Sequence, residues 1–190
     1  MASQTHLFQY GSNMSRERLA EQIRRYAPVY APWGVPLEIR FLGAAELRDW
    51  RFAIDLYSAG NECRVSNIVR EKMAAVWGAL YAVPVELVRR SDGKRSVLDR
   101  IEGHRPRENP ENYEPREVEV TIDGTVRRAW TYVGLDEARE RCASDFADVP
   151  VSDTYRHAVL DGASAAGLPA AYIADLERTL SAPADELATP

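Results

Sequence analysis

At 190 residues, with 45% apolar and 28% charged side chains, the chain has the balance of a soluble globular protein, neither disordered nor fibrous. The formal net charge of -5 gives no overall pull toward nucleic acid or an anionic membrane, and short basic pairs such as Arg24-Arg25 and Arg89-Arg90 read as solvated faces. Cys63 and Cys142 are the only cysteines, which excludes a disulfide framework and leaves no metal-ligand spacing, so free thiols in a reducing compartment are expected.

In chain order, the first predicted element is a strand over Thr5–Tyr10, with no basic-then-apolar leader before it. Gly11-Ser12-Asn13 stops it. A helix follows over "SRERLAEQIRRY", with Ser15 as N-cap and Leu19, Ile23 and Tyr26 on one face. Pro28, Pro32 and Pro36 are expected to break the chain into a loop. "PLEIRFLG" and "WRFAIDLY" alternate as two half-buried strands, the second with Trp50, Phe52, Ile54 and Leu56 on its inner face. "RVSNIVR" is a short strand. "AVWGALYAV" is another, apolar enough to be covered on both faces. The surrounding run Met73–Val85 is too short to span a bilayer as a helix, and a cytoplasmic protein is the expectation.

In "SVLDRIEG", Ser96 and Asp99 form a capping pair for a short helix that Gly103 is placed to end. "GHRPRENPENYEPRE" reads as a long polar loop. "REVEVTIDGTVRRAWTYV" is a hairpin turning at Asp123-Gly124. The last third is helical, in "LDEARERCASDF", "VSDTYRHAVLDGASAAGLP" and "AAYIADLERTL". One domain is expected over residues 1–180, with a frayed tail at 181–190. The order of elements is an α+β pattern.

The chain lacks GxSxG, GxGxxG and Walker motifs, and His6, His104 and His157 have no ligand spacing, so neither a metal nor a cofactor is expected. Two places remain. Tyr10-Gly11-Ser12-Asn13 ends a strand and precedes a helix; glycine there permits unusual backbone angles and close approach of a ligand, and successive N–H groups form a concavity for negative charge. Taken alone, the same residues make an ordinary turn. Glu102 sits at a helix C-terminus, where the dipole favours cations. Taken alone it reads as a solvated surface glutamate. Asp99, in the first turn, suits the dipole and reads as structural.

Together, "LFQYGSNM", "AVWGALYAV", "LDRIEG", a tyrosine before the hairpin and "YRHAVLDGASAAGLP" resemble, in order, the gamma-glutamylcyclotransferase family of the AIG2-like superfamily. The resemblance runs from about Leu7 to about Leu176 and is strongest to the members with a YGSN turn. It implies a small mixed, largely antiparallel β-barrel flanked by helices, with a cavity at one barrel end. It implies that Tyr10, Gly11, Ser12 and Asn13 cradle the substrate, that Glu102 is the catalytic acid/base, and that Tyr155 and Tyr132 line the site. The implied reaction is cyclisation of a γ-glutamyl amide to 5-oxoproline and a free amine, without cofactor. A non-catalytic relative binding an amino-acid-like ligand, or another amide transferase or hydrolase on the same scaffold, stays open. The only partner implied is the small γ-glutamyl substrate, with no nucleic acid and no membrane, though the apolar stripes leave room for a homodimer. The segments 84–97 and 104–113 are longer than the family pattern and leave the departing amine unnamed.

Overall fold

A computed structural model describes residues 3–30, 34, 37–89, 94–103 and 112–184. Five strands close into a barrel in the order β1-β3-β2-β4-β5. They are β1 (Gln4–Gln9), β2 (Arg40–Ser58), β3 (Cys63–Pro84), β4 (Tyr113–Ile122) and β5 (Thr125–Gly134). Neighbours pair antiparallel except across the closing seam, where β1 runs parallel to β5 with Leu7 opposite Trp130. Among the described residues, six α-helices surround the barrel: α1 (Arg16–Tyr30), α2 (Val85–Val88), α3 (Val97–Ile101), α4 (Asp136–Asp145), α5 (Asp153–Ala165) and α6 (Ala170–Ser181). The small α+β barrel expected from the sequence is the fold observed. Among the described residues, no helix is long and apolar enough to cross a membrane.

The period-2 patterns bury the residues they mark. Trp50, Phe52, Ile54 and Leu56 all lie in the core, as do Val76 and every residue from Gly78 to Pro84. The expected strand boundaries do not hold, however. The two strands read in residues 36–43 and 50–57 are one 19-residue strand, β2, and "RVSNIVR" and "AVWGALYAV" are both parts of the 22-residue β3. Bulges absorb the interruptions. Asp49 (φ 61°) and Met73 (φ 67°) bend the paired strands at one level, and the Met73 N–H donates to Asp49 Oδ1 at 3.0 Å. Such bends let a long ribbon curve round a barrel without ending.

Pro28 does not end α1, which continues to Tyr30. A proline removes one donor and crowds one carbonyl in the preceding turn, and only two residues of this helix follow it. The expected loop at 103–117 is shorter than read, because β4 begins at Tyr113. The rest of that segment, 104–111, lies outside the described residues, as do most of the expected tail and positions 90–93 in the other long segment. The hairpin turn forms as expected, with Asp123 at φ 48° and Gly124 at φ 73°.

Candidate active site

The end of β1 runs into one turn of 3-10 helix over Ser12–Met14 and then into α1. Three contacts hold this turn. The buried Tyr81 hydroxyl donates to the Met14 carbonyl at 2.6 Å. Ser15 Oγ accepts from the Arg18 N–H at 3.3 Å, opening α1 as the sequence suggests. Gly162 of α5 packs beneath it so closely that a Cβ there would meet Ser15 N at 3.0 Å and Met14 Cβ at 3.1 Å.

Gly11 is required by proximity and not by a left-handed backbone. Its φ of -111° is open to any residue. A Cβ at Gly11 would instead lie 2.4 Å from Ser66 Oγ, inside contact distance. Ser66 itself is fixed by Tyr155, whose hydroxyl lies 2.6 Å from Ser66 Oγ and accepts from the Ser66 N–H at 3.0 Å. Tyr155 reaches this position from the first turn of α5, where the Ser152 side chain caps the Tyr155 N–H.

Glu102 arrives from the opposite side. Ser96 and Asp99 form the expected reciprocal capping box, the buried Val97 and Leu98 anchor α3, and Glu102 is its C-cap residue. Glu102 is half-buried, and its carboxylate turns inward. Its Oε1 accepts from Asn13 Nδ2 and from Gln9 Nε2, each at 3.1 Å. Burial pushes its pKa above the ordinary glutamate value, and the two amide donors, which favour the charged form, only partly offset this.

Three buried tyrosines, Tyr10, Tyr132 and Tyr155, and the half-buried Tyr113 complete the inner end. Tyr10 donates to the Tyr132 carbonyl at 2.6 Å, Tyr132 to Asp99 Oδ1 at 2.8 Å, and Tyr113 to the Ser66 carbonyl at 2.6 Å. Burial raises the pKa of Tyr10, Tyr113, Tyr132 and Tyr155, with the negative charge of Glu102 adding to each. All four are therefore neutral hydroxyls at physiological pH. Their shifts lead away from neutrality, whereas that of Glu102 leads toward it.

These residues line one cavity of about 740 Å³. Every residue expected at the site — Tyr10, Gly11, Ser12, Asn13, Glu102, Tyr132 and Tyr155 — lines it. Sequence reasoning missed Gln9 and Ser66, and left Tyr113, the tyrosine before the hairpin, without a place in the site. The outer wall carries Arg18, Gln22 and Arg25 from one face of α1, opposite the stacked rings of Tyr57 and Phe146, whose centroids are 3.8 Å apart. Among the described residues, no group of three His, Cys, Asp or Glu is arranged to hold a metal ion.

A second concavity of about 610 Å³ opens where β2 and β4 diverge beyond their single pairing of Glu46 with Thr121. It is lined by Arg48, Trp50, Arg70, Glu117 and Arg128 among others. Two of its arginines pair with nearby carboxylates, Arg48 with Glu46 and Arg128 with Glu117.

The sequence profile of the AIG2-like family matches residues 75–176, more than half of the chain. The chain belongs to the AIG2-like family. The matched span holds Glu102, Tyr113, Tyr132 and Tyr155, and begins after the opening turn. A comparison with curated proteins finds no match. Among solved structures, this AIG2-like chain is similar to a protein named gamma-glutamyl cyclotransferase, with TM-score 0.67 and 20% identity over 92% of this chain and 87% of the other. An uncharacterised human protein matches with TM-score 0.66 and 21% identity, over 92% of this chain and 86% of that one. YkqA from Bacillus subtilis matches with TM-score 0.66 and 19% identity, over 95% of this chain and 55% of its own. The shared property is the barrel fold with its flanking helices.

Proposed function

We propose that this chain is a gamma-glutamylcyclotransferase: it closes the α-amine of a γ-glutamyl amide onto the γ-carbonyl and releases 5-oxoproline and a free amine. The observation that carries this reading is the meeting of Glu102 with the opening turn. A desolvated carboxylate, bonded to Asn13, lines the same cavity as Gly11, Ser12 and Asn13. Family membership and the likeness to a named cyclotransferase fold support the same chemistry.

The reaction meets two obstacles. An α-ammonium titrates near ~8 and must lose a proton before it can attack. It must also fold back onto its own carbonyl, and holding two groups in that geometry is worth an effective molarity of about 10⁵–10⁸ M. In the proposed sequence the substrate α-carboxylate lies against the Gly11–Asn13 backbone, and Glu102 takes one proton from the ammonium. The free amine forms the new bond to the γ-carbon. As the original amide C–N bond breaks, Glu102 returns its proton to the departing nitrogen. A second proton passes from the ring nitrogen to the same leaving group, giving a lactam and an ammonium ion. A raised carboxyl pKa suits a group that must act as base and then as acid near neutrality.

The deciding experiment is a panel of γ-glutamyl amides, with amino-acid, polyamine, lysyl and aminoglycoside leaving groups, assayed for 5-oxoproline. Turnover of at least one, abolished by Glu102→Gln, supports the reading. No turnover of any, with a ligand that nonetheless co-purifies, would replace it with a binding function.

A further inference from the structure

We infer that Gln9 is a positioning residue for Glu102: with Asn13 it occupies one carboxylate oxygen, so that the other is presented to the substrate amine. This rests on the cyclotransferase reading and adds a residue that the opening turn and the LDxxEG helix do not contain.

The geometry is asymmetric. A carboxylate oxygen offers two acceptor positions, and Oε1 of Glu102 has a donor for each: Gln9 Nε2 and Asn13 Nδ2, both at 3.1 Å. Oε2 has no hydrogen-bond partner among the described residues and belongs to the wall of the cavity. A carboxylate held by one donor can still swing about its terminal bond. Two donors from separate elements, the end of β1 and the 3-10 turn, fix both its position and its rotation. Proton exchange with the ligand is thereby assigned to Oε2.

The placement of Gln9 is itself informative. It is the last residue of β1, 6% exposed, and it follows the fully buried Leu7 and Phe8. A buried carboxamide on a core strand is costly unless it is hydrogen-bonded, and the side-chain partner of its Nε2 is Glu102. The backbone beneath it is tightly seated, because a Cβ at Gly78 would lie 2.4 Å from the Gln9 carbonyl oxygen. An apolar residue would fill this position more simply if only the core were served.

The other charged groups around Glu102 do not replace this contact. Tyr10, Tyr113, Tyr132 and Tyr155 surround it as neutral hydroxyls, and none bonds to its carboxyl group. On α3, Asp99 is engaged with Ser96 and Tyr132. From α1, Arg18 and Arg25 line the same cavity, as do Arg141 and Asp145 on α4, and α2 brings Glu86 toward α3. None of these forms an ion pair with Glu102 among the described residues.

The test is Gln9→Met, which keeps the length of the side chain and removes the donor. The expected result with a substrate from the panel is a kcat about tenfold lower or more at neutral pH, a KM within about twofold, and an acid limb of the kcat profile displaced to higher pH. The direction follows from the chemistry: a donor to the ionised carboxylate lowers its pKa, so removing that donor raises it. Gln9→Glu serves as the second variant should Gln9→Met fold poorly. It sets a second carboxyl against Oε1, and the acid limb must move further in the same direction, since two neighbouring carboxylates resist ionising together. An unmoved acid limb in either variant, or a raised KM with unchanged kcat, overturns the role. Carbon-13 titration of the Glu102 carboxyl, assigned by its loss in Glu102→Gln, reads the contact without turnover. A titration that shifts in Gln9→Met, in a protein that releases no 5-oxoproline from any amide, would uphold the contact and remove the cyclotransferase reading instead.

Discussion

The two concavities of this barrel are of similar size and differ in how they treat charge. The cavity at the opening turn encloses about 740 Å³ and sets a desolvated carboxylate among four neutral tyrosines. The groove between β2 and β4 encloses about 610 Å³, and two of its arginines pair with nearby carboxylates. An exposed ion pair contributes about 0–1 kcal/mol and asks nothing of a ligand. A carboxylate whose burial is only partly offset by hydrogen bonds is held at a cost to the fold, a pattern typical of functional sites. Volume alone would not separate the two places.

The comparison can be broken or sharpened by experiment. The largest effect is expected for Glu102→Gln, which should lower 5-oxoproline release about 10²–10⁴-fold, as loss of a general acid/base does. The matched groove change, Glu117→Gln, should leave turnover within about twofold. Equal losses in both would erase the distinction. Next comes Gly11→Ala, whose new methyl group meets Ser66 Oγ. It should destabilise the protein by about 1–3 kcal/mol in urea melts. Adding Ser66→Ala should recover part of that loss, because the nearer clash is with the hydroxyl and Ser66 Cβ lies at 3.7 Å.

A third effect concerns pH. The Glu102 pKa is higher in the folded than in the unfolded chain, where a free glutamate titrates near ~4.3. Its contribution is therefore most favourable when both states are protonated, and it declines as pH rises from that range through the folded value. Glu102→Gln should melt at a higher temperature than the parent near pH 7.5, and this advantage should disappear near pH 3. A lower melting temperature at pH 7.5 would contradict the desolvation assigned to this side chain. The smallest effect is at the groove. Arg70 lies 4.2 Å above the Trp50 ring, and Arg70→Met should cost about 0.5–1 kcal/mol with no change in turnover.

The barrel was legible in the sequence where alternation is clean, as at Trp50 to Leu56, and where turn chemistry is specific, as at Asp123-Gly124. Strand length was not legible. Asp49 and Met73 adopt left-handed backbone conformations that their residue types do not announce, and the pairing across a bulge is a long-range property. The site divides in the same way. The opening turn and Glu102 stand in motifs whose order can be read. Ser66 carries no motif, and its importance comes from lying beneath Gly11, 55 positions earlier in the chain. Gln9 had a readable signal, a carboxamide directly after the apolar pair Leu7-Phe8. A single polar residue near a strand end is common, and only its contact with Glu102 distinguishes it.

One feature of the topology bears on how the protein is made. The seam joins Leu7 to Trp130, so β1 has its parallel neighbour more than a hundred residues downstream. On a ribosome adding about 5–20 residues per second, β1 can pair with β3 within seconds but must leave its other edge bare until β5 emerges. That edge carries the apolar Leu7 and Phe8 and is open to misassociation until the barrel can shut.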